Sequence, residues 1–248
     1  MNAAVIVAAG RGTRMGPEVD KLFLEAAGRP IIAHTWQRFQ DADCIHEIVL
    51  VVRAGLEKAF PEMATRFGFQ KPWRVVTGGA ERQDSVWNGL QAVSDQTQVV
   101  AIQDGARPCT TAALIRATID AAQVTGAAVA AQRVTDTIKE SDDGVMIVRH
   151  PERSRFWAVQ TPQAFRIGVI RRALAAVRER GARVTDDTAA CDLIGQRVQL
   201  VESRSPNPKI TVPDDLALLE WRLSRMNDPS RTAADRGGSH ALREIATI

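Results

Sequence analysis

Cysteines are few in this 248-residue chain and long apolar runs are missing, and each absence excludes a class of protein. The three cysteines, Cys44, Cys109 and Cys191, are widely separated and lack C-x-x-C spacing, so the sequence predicts neither a disulfide framework nor a zinc site. No apolar run approaches the roughly 18 residues of a membrane span, and the first residues enter a predicted strand without the regions of a signal peptide. We therefore expect a cytoplasmic protein with no membrane partner.

An excess of charge of one sign is also missing. The formal net charge is +3, and no long basic block with interleaved aromatic residues occurs, which argues against nucleic-acid binding and favours a small anionic ligand. Only five of the 32 basic residues are lysines. Three of these, Lys21, Lys139 and Lys209, fall within distinctive motifs. In a chain so rich in arginine, a lysine at such a position indicates a need for a compact ammonium group that the forked guanidinium of arginine cannot replace. The alternative is that these three lysines fall within the motifs by chance.

The remaining composition is that of a globular protein, with 45% hydrophobic and 25% charged residues. Short β-branched runs alternate with stretches of helical periodicity, which predicts an α/β fold with a mostly parallel, doubly wound sheet. The predicted strands are residues 3–7, 47–52, 73–76, 99–102 and 127–131, followed by short ones at 198–201 and 210–212.

Residues 133–158 interrupt this alternation. Alternating residues at 137–139, a polar turn at 141–144 and the apolar run 145–148 predict a β-hairpin arm. A two-stranded arm is marginal by itself, so we expect it to pack on another subunit. The predicted domain ends near residue 226, and residues 227–248 have the weak periodicity of a mobile tail.

A glycine-rich loop follows the first predicted strand. It reads A-A-G-R-G-T-R-M-G-P-E-V-D-K over residues 8–21, and its glycines and basic side chains suit a polyphosphate at the carboxyl edge of the sheet. The loop matches neither G-x-x-x-x-G-K-[ST] nor a full G-x-G-x-x-G, which disfavours a dinucleotide fold. A tight strand-to-helix turn with solvated arginines is the alternative for this loop taken alone.

Two more loops are predicted at the same edge. T-G-G-A-E-R-Q-D-S-V follows the third strand at residues 77–86, and Q-D-G-A-R-P-C follows the fourth at 103–109. Asp104 is therefore placed where an acid suits a ribose or a metal-bound phosphate, although it could instead cap the next turn. Further along, S-P-N-P-K at 205–209 predicts a rigid loop that presents Lys209.

With these segments placed, the chain resembles the 2-C-methyl-D-erythritol 4-phosphate cytidylyltransferases of the non-mevalonate isoprenoid pathway from Ala3 to about Leu223. The shared motifs, in the family's order, are A-A-G-R-G-T-R-M-G with Lys21, G-G-A-E-R-Q-D-S-V, D-G-A-R-P-C, V-T-D-T-I-K, T-P-Q-A-F, V-T-D-D and P-K-I-T. The resemblance implies a Rossmann-like nucleotidyltransferase domain over residues 1–226, with an arm at about 133–158 that joins two subunits in a homodimer.

The resemblance also implies a reaction and its site residues. CTP and methylerythritol phosphate would give 4-diphosphocytidyl-2-C-methyl-D-erythritol and pyrophosphate, with Mg²⁺ bound mainly through the CTP phosphates. The implied catalytic cations are Arg14, Lys21 and Lys209. The implied nucleotide contacts are Ala8, Ala9, Gly10, Gly79, Ala80, Ser85 and Asp104, the last with a weak or indirect part in metal binding. The implied acceptor contacts are Arg107, Thr161 and Thr185, joined by Thr137 and Arg153 from the neighbouring subunit's arm.

Charge repulsion is the main obstacle to such a reaction, because a phosphate must attack the α-phosphorus of a triphosphate and both are anions. Cations and a divalent metal lower this repulsion and hold the groups in line without a covalent enzyme intermediate. The chain departs from the family at Ala80, where an acid is frequent, and at Pro208, where an apolar residue other than proline is usual. The backbone of Ala80 can still make the nucleotide contact that the resemblance implies, because that contact does not need an acidic side chain.

Other functions share parts of this pattern. Ribitol 5-phosphate cytidylyltransferases have the same fold and motifs and differ mainly in the acceptor pocket. Sugar and molybdopterin nucleotidylyltransferases share the first loop but not T-P-Q or the arm. A regulatory protein that kept a nucleotide site is the non-catalytic alternative, which the intact set of cations disfavours. A dinucleotide oxidoreductase needs an acid after the second strand, where Arg53 stands.

Overall fold

The computed structural model describes residues 1–10 and 21–226. Its strands and helices are, in chain order, β1 (Asn2–Ala8), β2 (Glu25–Ala26), β3 (Arg29–Pro30), α1 (Ile31–Asp41), β4 (Glu47–Val52), α2 (Ala59–Phe67), β5 (Trp73–Thr77), α3 (Arg82–Ala92), β6 (Val99–Asp104), α4 (Ala112–Thr125), β7 (Ala127–Arg133), β8 (Trp157–Arg166), α5 (Ile167–Glu179), α6 (Asp187–Asp192), β9 (Gln199–Glu202) and α7 (Asp215–Met226). None of the helices in these ranges has the length and apolarity needed to cross a membrane.

Seven strands form one sheet in the order β5-β4-β1-β6-β8-β7-β9. β1 pairs in parallel with β4 and β6, β4 with β5, and β7 with β9. β8 pairs antiparallel with both β6 and β7, so among the described strands of this sheet it alone runs against the others. The predicted α/β fold with a mostly parallel sheet is confirmed, and the loops after β1, β5 and β6 lie at one edge.

Apolar side chains cover both faces of the sheet, which is why its strands read as nearly continuous apolar runs. Ile6 of β1 lies in the layer where α1, α2, α4 and α7 pack around Trp36. Val5 lies in the opposite layer, where α3, α5 and α6 pack around Phe165. Successive residues of a strand point to opposite faces, so β1 is buried on both sides along nearly its whole length.

Side-chain caps fix where two helices begin at the carboxyl edge. Glu81 and Asp84 form a reciprocal capping box at the start of α3, in which the Glu81 amide donates to Asp84 Oδ2 at 3.1 Å. Asp186 caps α6 by accepting from the Ala189 amide at 2.9 Å. Arg82 and Asp187 are therefore the first residues of their helices.

Gly89 lets α3 lie close to the sheet. A Cβ at this position would lie 2.5 Å from Val5 Cγ1 and 2.8 Å from Val51 Cγ2, both on buried strands that have little room to move. We predict that Gly89→Ala lowers the free energy of unfolding by about 1–3 kcal/mol, because the added methyl group overpacks this contact. Urea denaturation measures the effect.

Gly168 on α5 is the matched control. Its nearest neighbour for an added Cβ is Arg172 NH1 at 3.7 Å, an ordinary contact, so Gly168→Ala gains helix propensity and is expected to be neutral or stabilising by up to about 1 kcal/mol. Equal effects of the two substitutions would contradict the close approach of α3.

Three expected strands are not formed within the described residues, and those predictions were wrong. In the arm, residues 137–139 and 145–148 do not pair as strands, and one isolated bridge joins Glu140 to Arg149. Residues 141–150 are all exposed, so no second layer supports a ladder there. Residues 210–212 form a loop, because the Ile210 amide donates to Ala106 O at 2.9 Å instead of to a neighbouring strand. The predicted tail, residues 227–248, lies outside the described residues.

Candidate active site

A cavity at the carboxyl edge of the sheet brings most of the predicted site residues together. Predicted residues that line it are Ala8, Ala9, Gly10, Lys21, Gly79, Ala80, Ser85, Asp104 and Lys209. They come from the ends of β1 and β6, the segment before β2, the loop before α3 with the first turn of that helix, and the loop before α7, so five segments of the chain converge there. Arg14, the remaining predicted catalytic cation, lies outside the described residues.

Glycine allows the first two loops to touch. A Cβ on Gly78 would lie 2.3 Å from Ala9 Cβ, and one on Gly79 would lie 2.2 Å from Asp84 Cβ, so neither position has room for a side chain. The Gly78 amide donates to Val52 O at 2.8 Å, which anchors the loop to the end of β4. The backbone of the second loop therefore packs directly against Ala9 at the border of the cavity.

Ser85 shapes the second loop from within. Its buried hydroxyl donates to Glu81 O and accepts from the Gly79 amide, both at 3.1 Å. The Ser85 amide also donates to Glu81 O at 3.1 Å, so the side chain adds to the backbone hydrogen bond of this first turn of α3. Its contribution to the cavity is the fixed orientation of the Gly79 peptide.

Asp104 is the centre of charge in the cavity. Its Oδ2 lies 2.7 Å from Lys209 Nζ and 3.8 Å from Arg107 Nε, and its Oδ1 lies 3.4 Å from Arg82 Nε. Burial alone would raise the pKa of this carboxyl group, but Arg82, Lys209 and Arg107 outweigh burial and hold the pKa below its ordinary value. Asp104 is therefore an anion near neutral pH, and its carboxylate pairs with cations instead of capping the following turn.

The loop that presents Lys209 is fastened by polar contacts. Asn207 is buried, its Nδ2 donates to Thr161 O at 2.8 Å, and its Oδ1 accepts from Thr110 Oγ1 at 3.0 Å. Arg107 NH1 donates to Asn207 O at 2.7 Å. Lys21 Nζ donates to Ile210 O at 3.1 Å, so the loop that presents Lys209 also holds the second lysine of the cavity. Sequence reasoning missed Asn207, whose only signal was its place between two prolines.

Arg82 was also missed, although it stands inside a quoted motif. Its NH1 donates to Asp187 Oδ2 at 2.8 Å while its Nε faces Asp104, so one guanidinium joins two carboxylates that are far apart in sequence. Burial lowers the pKa of Arg82, but the two carboxylates outweigh it and raise the pKa above the ordinary arginine value. Burial raises the pKa of Asp187, against the opposing effect of Arg82.

Known proteins are similar to this chain over most of its length. The family model for 2-C-methyl-D-erythritol 4-phosphate cytidylyltransferase (IspD) matches residues 2–225. The enzyme of that name from Alkaliphilus oremlandii is 42% identical over 222 residues, which cover 88% of this chain and 93% of that protein. The chain belongs to this family.

Solved structures of similar proteins have the same fold. A 4-diphosphocytidyl-2C-methyl-D-erythritol synthase from Anaerococcus prevotii matches with a TM-score of 0.81 at 29% identity, over 90% of this chain and 96% of that one. The 2-C-methyl-D-erythritol 4-phosphate cytidylyltransferase from Thermus thermophilus matches with a TM-score of 0.73 at 34% identity, over 91% of this chain and all (100%) of that one. These relatives are cytidylyltransferases, so the prediction that this chain is a nucleotidyltransferase is confirmed.

The acceptor contacts implied by this cytidylyltransferase family are more dispersed than the nucleotide contacts. Arg107 pairs with Asp104, which lines the cavity, and burial lowers the pKa of Arg107. Thr161 is buried, and its hydroxyl accepts from the Asp104 amide at 3.1 Å. Thr185 is exposed and lines a separate groove beside α6. Thr137 and Arg153 are exposed on the arm, where Arg153 NH1 donates to Thr135 O at 2.7 Å.

The residues also bear on metal binding. Within the described part of the chain, no group of three or more His, Cys, Asp or Glu side chains could hold a metal ion. Asp104 and Glu81 line the cavity, and a carboxylate oxygen is a ligand type that Mg²⁺ accepts beside substrate phosphates. The residues present therefore fit a metal that arrives with a nucleotide.

Proposed function

We propose that this protein transfers the cytidylyl group of CTP to 2-C-methyl-D-erythritol 4-phosphate, giving 4-diphosphocytidyl-2-C-methyl-D-erythritol and pyrophosphate. The observation that carries the proposal is the cavity in which two glycine-containing loops meet the cations Lys21, Arg82 and Lys209 around Asp104. The named activity of the relatives in the same family supports the choice of substrates.

In this reaction an oxygen of the acceptor phosphate attacks the α-phosphorus of CTP. A new P–O bond forms, the bond between the α-phosphorus and the bridging oxygen breaks, and pyrophosphate leaves with the electron pair. Lys21 and Lys209 offset the negative charge of the two phosphates, which lets them approach and stabilises the charge on the transferring group. Mg²⁺ held by the CTP phosphates, with Asp104 as a protein oxygen nearby, would neutralise further triphosphate charge.

Base selection is assigned to the backbone of the two facing loops. Ala8 to Gly10 and Gly79 to Ala80 offer fixed peptide groups, and the exocyclic amine of cytosine is a donor that uracil lacks. We predict that kcat/KM for UTP is about 10- to 100-fold below that for CTP, because a carbonyl aligned for the amine would lose its partner. Pyrophosphate release with each nucleotide measures the ratio.

Ser85 provides a further check of that assignment. Ser85→Ala removes the hydroxyl that orients the Gly79 peptide, so it should narrow the difference between CTP and UTP, whereas Ser224→Ala on α7 should leave it unchanged. Equal kcat/KM values for CTP and UTP in the unmodified protein would contradict backbone reading of the base.

The acceptor side is proposed to use Arg107, Thr161 and Thr185 of one subunit with Thr137 and Arg153 of the other. The support is chemical, since an arginine and hydroxyl groups suit a polyol phosphate, and it is also spatial, since neither Thr137 nor Arg153 lines the cavity of its own chain. A homodimer joined through the arm would bring the two sets together. It would also cover Val145, Met146 and Ile147, which are 80%, 67% and 53% exposed.

Ribitol 5-phosphate is the alternative acceptor, and one experiment separates the two. The protein is incubated with CTP and Mg²⁺ and either methylerythritol phosphate or ribitol 5-phosphate, and pyrophosphate release is followed. Faster turnover with methylerythritol phosphate is expected. Preference for ribitol 5-phosphate would change the acceptor, and no release with either acceptor would favour a non-catalytic nucleotide-binding protein.

A further inference from the structure

A chain of charged side chains runs from the protein interior into the cavity. Asp187 Oδ2 accepts from Arg82 NH1 at 2.8 Å, Arg82 Nε lies 3.4 Å from Asp104 Oδ1, and Asp104 Oδ2 lies 2.7 Å from Lys209 Nζ. The four residues come from α6, α3, β6 and the loop before α7. Buried charges are costly to retain, so a paired, alternating arrangement next to a site calls for a functional explanation.

The three cations at Asp104 differ in how firmly they are held. Arg82 is tied to Asp187, whose side chain is 1% exposed, and Arg107 is tied to the backbone oxygen of Asn207 at 2.7 Å. The Lys209 side chain is 37% exposed, and its ammonium group ends a flexible four-carbon stem. Lys209 is therefore the cation best able to leave Asp104 and turn towards a phosphate in the cavity.

We propose that Arg82, anchored by Asp187, is a positioning residue that keeps Asp104 neutralised and oriented while Lys209 moves from Asp104 to a substrate phosphate. The inference rests on the proposed function. Without Arg82 the Asp104 carboxylate has one fewer fixed partner and holds Lys209 more strongly, so less of the ammonium charge is available when phosphate charge builds up. Asp187 acts through Arg82, because it fixes the guanidinium and does not line the cavity itself.

Steady-state kinetics with CTP and methylerythritol phosphate test this inference. Arg82→Gln should lower kcat by about 30-fold while KM for CTP changes by less than about threefold, because Arg82 acts through Lys209 during transfer and not through the base-reading backbone. Arg82→Lys keeps the charge but cannot bridge both carboxylates, so its kcat should lie between those of Arg82→Gln and the unmodified protein. Asp187→Asn should lower kcat by roughly five- to tenfold.

A double variant separates positioning from independent structural roles. If Asp187 acts through Arg82, Arg82→Gln combined with Asp187→Asn should be no slower than Arg82→Gln alone, whereas independent roles would multiply the losses. Arg74→Gln is the matched control, because Arg74 also pairs with a buried carboxylate, Glu47 at 3.4 Å, and does not line the cavity. Its kcat should stay within about twofold of the unmodified protein.

The outcomes are distinguishable. An unmodified protein that releases no pyrophosphate overturns the proposed function, whereas an active protein whose Arg82→Gln variant keeps full kcat overturns only the positioning role. Thermal unfolding identifies a variant that does not fold. If Arg82→Gln is such a variant, Arg82→Lys and Asp187→Asn decide: reduced kcat at nearly constant KM for CTP supports the inference, and full kcat in both, or a rise in KM alone, overturns it.

Discussion

Replacement of Lys209 by alanine is expected to lower kcat by about a hundredfold or more, which corresponds to on the order of 3 kcal/mol of transition-state stabilisation. Lys209 ends the Pro-rich loop, reaches the cavity and faces Asp104 at 2.7 Å, so its ammonium group is held where phosphate charge would develop. Lys21→Ala is expected to have an effect of similar size, since Lys21 lines the same cavity and its Nζ donates to Ile210 O.

Folding should survive the loss of Lys209. Asp104 keeps Arg82 and Arg107 as partners, and Ile210 remains bound to Ala106 through its backbone amide. Circular dichroism and thermal unfolding would confirm this, and pyrophosphate release under saturating CTP and methylerythritol phosphate would give kcat.

Lys58 is the matched control for both lysine variants. It is exposed at the start of α2 and does not line the cavity, so Lys58→Ala should leave kcat unchanged. Near-normal kcat in Lys21→Ala and Lys209→Ala would contradict the charge-neutralisation mechanism. A lower kcat in all three variants would indicate a general effect of net charge.

The parts of the site that could be predicted from the sequence are those that depend on strand ends. The strand-forming runs at β1, β5 and β6 could be read directly, and parallel strands deliver their following loops to one edge whatever their order. That rule alone brings Gly10, Gly79 and Asp104 together. Lys209 could be added because prolines on both sides of Asn207 predict a rigid loop in front of it.

Contacts between side chains of distant segments could not be predicted in this way. Arg82 and Asp187 are 105 positions apart, and their pairing depends on α3 and α6 packing on the same face of the sheet. That face is decided by crossover connections, which leave no local pattern. The reversed direction of β8 is hidden for the same reason, because the residues of a strand do not show whether it pairs parallel or antiparallel.

The arm shows a different limit of sequence reasoning. The alternating residues at 137–139 and the apolar run 145–148 have strand propensity, but propensity in a sheet expresses packing against neighbours. In the described chain those neighbours are lacking, since Val145, Met146, Ile147 and Val148 are all more than half exposed, and the pairing is reduced to one bridge. The proposed dimer would supply the missing layer.

A proposed dimer with shared sites leads to the second large effect, recovery of activity from two inactive variants. Neither Thr137 nor Arg153 lines the cavity, and Arg153 contacts Thr135 within the arm. If Arg153 serves the acceptor site of the neighbouring subunit, Arg153→Ala is expected to lower kcat/KM for methylerythritol phosphate by about a hundredfold, because a charged contact to the phosphate is lost.

Mixing Arg153→Ala with Lys21→Ala subunits should then restore activity. In the heterodimer one site carries both defects and the other carries neither. Random mixing makes half of the dimers heterodimers with one intact site of two, so activity should rise to about a quarter of that of the unmodified protein. Two affinity tags on the two variants would show that heterodimers form.

The control for this recovery is a mixture of Lys21→Ala and Lys209→Ala. Both lysines line the cavity of one chain, so every site in their heterodimer contains one defect and activity should stay at the level of the parents. Recovery in the first mixture and not in the second requires that Arg153 acts across the interface. If heterodimers of the first mixture form and remain inactive, Arg153 works within its own subunit or has no part in the reaction, and the arm would then serve association alone.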